Sequence, residues 1–61
     1  MRERIVRLRK ARKLSGYMLA KQAGIARSHL LAIESGKTDP TVTTLIKIAV
    51  ALGVKPAQLL E

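Results

Sequence analysis

The chain has 61 residues, no cysteine, one histidine and a formal net charge of +8. So short a sequence is expected to form one domain, residues 1–61, with a thin core; the missing cysteines exclude a disulfide framework or thiolate metal site and suit a reducing cytoplasm. The longest apolar run, Ile48 to Leu52, is far too short to span a bilayer and the Arg-rich start does not read as a signal peptide, so neither membrane nor secretion is expected.

A first helix over residues 2–13 places Ile5, Leu8 and Ala11 or Arg12 on one side, and Leu14 closes it. Residues 1–14 carry seven Arg and Lys against Glu3 alone, which is +6 of the +8. That field favours a polyanionic partner, which releases counterions when its phosphates are met. The other reading of the same cations is a solvated face that keeps a small protein soluble. Ser15 is an N-cap for a second helix over 16–23, on which Leu19, Ala20 and Ala23 share a face, and Gly24 ends it. A third helix over 27–35 turns Leu30 and Ile33 inward and stops at Gly36, which can take a positive φ. Thr38-Asp39-Pro40 forms the next turn, Thr41 caps a fourth helix over 42–52 ended by Gly53, and Pro56 starts a fifth that reaches Leu60. The expected fold class is all-α, a compact bundle of five short helices.

The segment from Ser15 to Gly36 is two helices joined by a short turn at Ala23-Gly24-Ile25. On geometry alone it is either a packing corner or a helix-turn-helix. Advancing about 100° per residue puts Arg27, Ser28, Leu31, Ala32 and Ser35 on the side of the third helix away from Leu30 and Ile33, with no acid among them. Such a face suits a major groove, where Arg bonds guanine, Ser bonds either partner, and Leu or Ala meets a thymine methyl. On the fourth helix Ile46 and Val50 fall outside the stripe of Leu45, Ile48, Ala49 and Leu52. They either widen the buried face or, with Val54, Leu59 or Leu60, form a homodimer or partner surface. Catalysis is not expected: Glu3, Glu34, Asp39 and Glu61 are scattered, no metal-ligand cluster or phosphate loop is present, and Ser28 and His29 are adjacent on a helix and diverge. No cofactor is implied.

The run LRKARKLSGYMLAKQAGIARSHLLAIESGKTDPTVTTLIKIAVALGV resembles the lambda-type phage repressor and Cro family of helix-turn-helix domains. The matching elements are Leu8-Arg9, Arg12, Leu14-Ser15, Leu19-Ala20, Ala23-Gly24-Ile25, Ile33 to Lys37, Asp39-Pro40 and Leu45 to Val54. The resemblance implies a transcriptional regulator, a repressor in most such cases, that binds double-stranded DNA as a homodimer with its third helix in the major groove. It also admits an antitoxin or controller whose main partner is another protein. By position in the motif it implies base contacts from Arg27, Ser28, Leu31 and Ala32, and phosphate contacts from Tyr17, His29, Lys37, Thr38 and Arg12. For His29 a partly packed residue without a role is the competing reading. Arg9 and Glu34 match a structural ion pair. Two positions depart from the pattern: Gly16 stands where a Gln usually contacts DNA, and Ala26 where a Ser or Thr usually caps the third helix.

Overall fold

A computed structural model describes residues Met1 to Leu60; Glu61, counted above among the scattered acids, lies outside the described residues. Five helices follow in order: α1 (Arg2–Ala11), α2 (Gly16–Ala23), α3 (Arg27–Glu34), α4 (Val42–Leu52) and α5 (Pro56–Leu60), with no strand among the described residues. None of these helices is long and apolar enough to cross a membrane.

The starts of the helices follow side-chain chemistry. Ser15 Oγ accepts the Met18 N–H at 3.0 Å, and Thr41 Oγ1 accepts the Thr44 N–H at 3.2 Å while its own hydroxyl donates to Thr44 Oγ1. That bond satisfies Thr44, the one buried polar side chain among the described residues. At α5 the Gln58 side-chain Oε1 reaches back to accept the Lys55 N–H at 2.8 Å, half of a capping box ahead of Pro56. Ala26 offers α3 no such oxygen.

Four helices end in the same way. A residue at positive φ (Lys13, Gly24, Gly36, Gly53) turns the chain, and the next N–H reaches back five residues to a carbonyl of the last turn. In α1 these bonds run from Lys13 to the Lys10 carbonyl and from Leu14 to the Arg9 carbonyl, so the helix stops at Ala11, two residues short of the expected end. Ala11 and Arg12 are exposed in consequence and do not extend the Ile5 and Leu8 stripe. The residue after each turn is instructive: Leu14, Ile25 and Val54 pack against the core, whereas the fourth, Lys37, is exposed.

The core is one cluster built around Ile5, Leu19, Leu30, Ile33, Ile48, Leu52 and Leu59, with Ala20, Ala23 and Ala49 allowing close helix approach. α2 packs on α3 and α4, while α1 packs on α3 and α5. Each of those large side chains, fully buried, contributes roughly 1.5–3 kcal/mol. Leu59 corrects the sequence expectation: it was grouped with a possible partner surface, yet it is 0% exposed, because α5 lies across α4 and α1 and turns it inward. Val54 is likewise half-buried against the core.

Lys13 holds φ +58, where a Cβ is strained by about 1–2 kcal/mol. Lys13→Gly removes that strain against a loss of about 0.5–1 kcal/mol from greater freedom of the unfolded chain. Urea denaturation should therefore show the variant more stable by about 0.5–1 kcal/mol.

Candidate nucleic-acid interface

The α2–α3 corner is set by Gly24 at φ +72 and by Ile25, whose N–H bonds the Ala20 carbonyl while its side chain packs on the core. On the far side α3 is fastened by Arg9. Its Nε and Nη2 donate to the two Glu34 carboxylate oxygens at 2.9 and 3.1 Å, and Nη1 donates to the Leu14 carbonyl at 2.9 Å. Both side chains are largely shielded, at 15% and 11% exposure. The planar guanidinium thus links α1, the turn entering α2, and the last turn of α3 in one geometry that an ammonium group does not reproduce.

With Leu30 and Ile33 buried and Glu34 held sideways, the rest of α3 looks outward. Arg27, Ser28 and Ser35 are exposed, Leu31 is 55% exposed, and Ala32 is half-buried. Ser28, Leu31, Ala32 and Ser35 line one shallow open depression together with Lys37. Arg27 stands outside it, displaced around the helix toward the flank of Glu34 by the seven-residue interval between them. His29 is half-buried on the opposite flank. Ser35 belongs to this wall although the sequence assigned it no contact; its spacing of seven from Ser28 and three from Ala32 is the signal for it.

The cations around this wall are placed unevenly. Lys37 and Thr38 are exposed directly after α3, their N–H groups both directed at the Ala32 carbonyl. The Arg2 guanidinium lies against Gly36 so closely that a methyl group there would overlap it, which brings Arg2 to the end of α3 beside Lys37. Nothing in the sequence announces this, since 34 positions separate the two residues. Arg12, assigned a phosphate contact, is exposed with its guanidinium against Gly53 at the α4–α5 turn. Tyr17 is 53% exposed in the first turn of α2, and the neighbouring Gly16 has open space where a side chain would point.

Away from this wall, Val42, Ile46 and Val50 are 76%, 44% and 72% exposed at four-residue intervals on α4, and α5 ends on Leu60 at 63%. Ile46 and Val50 therefore do not widen the buried face. Val42 extends their stripe by one turn, and the same spacing that singled out the pair points to it.

The sequence model of the helix-turn-helix family matches residues 5–59. The chain is 42% identical over 53 residues to the immunity repressor protein of Bacillus phage phi105, covering 87% of this chain but 37% of the repressor, so it spans just over a third of that relative's length. It is 38% identical over 55 residues to an uncharacterized helix-turn-helix transcriptional regulator of Methanocaldococcus jannaschii, covering 90% of this chain and 83% of that one. Among solved structures, the restriction-modification controller protein C.AhdI of Aeromonas hydrophila superimposes with a TM-score of 0.92 at 33% identity, over 95% of this chain and 88% of that one. The N-terminal DNA binding domain of SinR from Bacillus subtilis gives 0.93 at 34% identity, over 98% and 88%.

Removing Arg9 leaves a shielded carboxylate without its partner. Arg9→Ala should cost about 2–3 kcal/mol in urea denaturation, less than a fully buried pair because water reaches part of both groups. The double variant Arg9→Leu, Glu34→Leu should recover most of that loss, and a double variant no better than the single would show that packing of the Arg stem carries the effect.

Proposed function

Because the chain belongs to the helix-turn-helix family of the phage-repressor type, we propose that it binds double-stranded DNA as a transcriptional regulator, α3 entering the major groove of a two-fold symmetric site. One observation carries this reading: the outward wall of α3 holds no acid, since Glu34, the only acid on that helix, is turned aside and neutralised by Arg9. A bare carboxylate there would repel the two phosphate strands that border the groove. Arg27 and Ser28, in the first turn, are assigned to base edges, with Leu31 and Ala32 following them into the groove.

Around that wall the reading assigns Lys37, Thr38 and Tyr17 to phosphates, while Arg2 at the end of α3 is paired with Glu3 at 3.6 Å. His29, half-buried, is a marginal phosphate contact, and Arg12, exposed beside Gly53, is assigned to a phosphate as well. The described helices act as one binding unit in the cytoplasm, without a catalytic step. Repression by occupying the operator is the mode this reading favours.

The α4 stripe of Val42, Ile46 and Val50, with Leu60 at the end of the neighbouring α5, is assigned to a second copy of the chain. Exposed apolar side chains in one line lose water contact when covered, and a two-fold partner would present a second α3 to the next half-site. The same stripe favours a second reading, in which a different polypeptide covers it, as in an antitoxin or controller.

Selection of bound sites from random duplex DNA at two salt concentrations should yield a symmetric consensus, with a salt slope that counts phosphate contacts. On that consensus Arg27→Ala should cost about 1–3 kcal/mol and relax one base position, whereas Lys37→Ala should weaken all sequences alike and lower the slope by about one. A uniform loss at Arg27 would reassign it to the backbone. In sedimentation equilibrium, Ile46→Asp and Val50→Asp should each shift the chain toward monomer with unchanged helical circular dichroism; self-association that persists in both variants would exclude this stripe as the dimer surface.

A further inference from the structure

The centre of the α3 wall lacks side chains that read a base edge by paired hydrogen bonds, and the one exposed hydroxyl there without a partner, Ser28, lies at its N-terminal border. Direct readout of adenine uses Asn or Gln, of cytosine an acid, and of guanine Arg or Lys. α3 contains no Asn or Gln, Glu34 is engaged by Arg9, and the Ser35 hydroxyl donates to the Ala32 carbonyl at 3.2 Å. Arg27 lies outside the depression, and Lys37 joins it from beyond the helix end. The centre is left to the side chains of Leu31, more than half exposed, and Ala32. An exposed leucine gains nothing from a phosphate or a polar base edge. The apolar group that B-form DNA presents in its major groove is the C5 methyl of a pyrimidine.

We infer that the depression lined by Ser28, Leu31, Ala32, Ser35 and Lys37 receives pyrimidine C5 methyl groups, with Leu31 as the residue that selects for them. The inference rests on α3 being the major-groove helix. It makes the half-site respond to a methyl group as such, whether carried by thymine or by 5-methylcytosine, so that cytosine methylation at the right position restores affinity. Ser28 and Ser35 border the apolar centre and can bond whichever polar edge lies beside it, while Lys37 meets the adjoining phosphate.

The test uses the duplex recovered by selection and equilibrium binding of the full chain. Replacing thymine by deoxyuridine, one position at a time, removes the methyl and leaves every hydrogen-bonding group in place. Affinity should fall about fourfold at the one or two positions facing Leu31 and stay unchanged elsewhere, the value expected for one apolar carbon returned to water. In Leu31→Ala, and in Leu31→Ser as a second variant, the deoxyuridine effect should shrink toward none; in Lys37→Ala it should persist on top of a general loss. At the same positions cytosine should bind more weakly than thymine, with 5-methylcytosine recovering part of the difference; failure of that recovery would overturn the claim that the half-site responds to the methyl group as such. A specifically bound site indifferent to every deoxyuridine replacement, or an effect undiminished in both Leu31 variants, would overturn the inference while leaving the groove-binding reading intact. A selection that returns no consensus would remove the reading itself and this inference with it.

Discussion

Three donors on one guanidinium organise the working surface of this protein. Arg9 reaches both oxygens of Glu34 and the carbonyl of Leu14, so a single planar group fixes the end of α3 relative to α1 and to the chain entering α2. Its shielding matters as much as its geometry. An ion pair in open water contributes little, but here both partners are mostly covered, and neither charge can be removed without leaving the other poorly solvated. The pair also removes the one negative charge of α3 from the outward wall.

The helix ends show how the same local device serves packing in three places and presentation in the fourth. After the turns at Lys13, Gly24 and Gly53 the next residue is Leu14, Ile25 or Val54, and each folds back onto the core. After Gly36 it is Lys37, which stays in solvent at the mouth of the α3 depression. The backbone bonds are equivalent in all four, running from that residue's N–H to the carbonyl five residues earlier. A change of side chain alone therefore converts a core contact into a cation at the candidate interface. Arg2, folded over Gly36 and paired with Glu3, occupies the space a Cβ at that turn would need.

Charge and apolar surface are divided among different faces. Residues 1–14, α1 and the turn after it, hold +6 of the net +8, α3 presents an acid-free wall with an apolar centre, and α4 exposes a line of aliphatic side chains. A domain with a core this thin exposes apolar atoms in any case, so single exposed residues carry little meaning. Meaning comes from arrangement: Leu31 sits at the centre of a wall that is otherwise suited to DNA, and Val42, Ile46 and Val50 are aligned turn upon turn. The half-buried position of Arg9, Glu34 and Leu14 between α1 and α3 shows the opposite use of limited burial, holding elements together where no large core can do so.

By itself the chain's order of residues determined the five helices, because periodic Leu, Ile and Ala with Ser15, Thr41 and the turn glycines act within a few residues of one another. It also determined which residues of α3 face outward, since Leu30 and Ile33 must turn inward and the helix period then assigns the rest. The end of α1 was less legible: Lys13 adopts the left-handed turn that a glycine would have signalled. Only the tertiary structure decided that Leu59 belongs to the core, because that depends on α5 crossing α4 and α1. It alone decided that Arg2 lies at the end of α3 and Arg12 at the end of α4. The physical reason is range: capping and helical period act over three or four residues, whereas the placement of a terminal helix and of long arginine side chains is settled by contacts between segments remote along the chain.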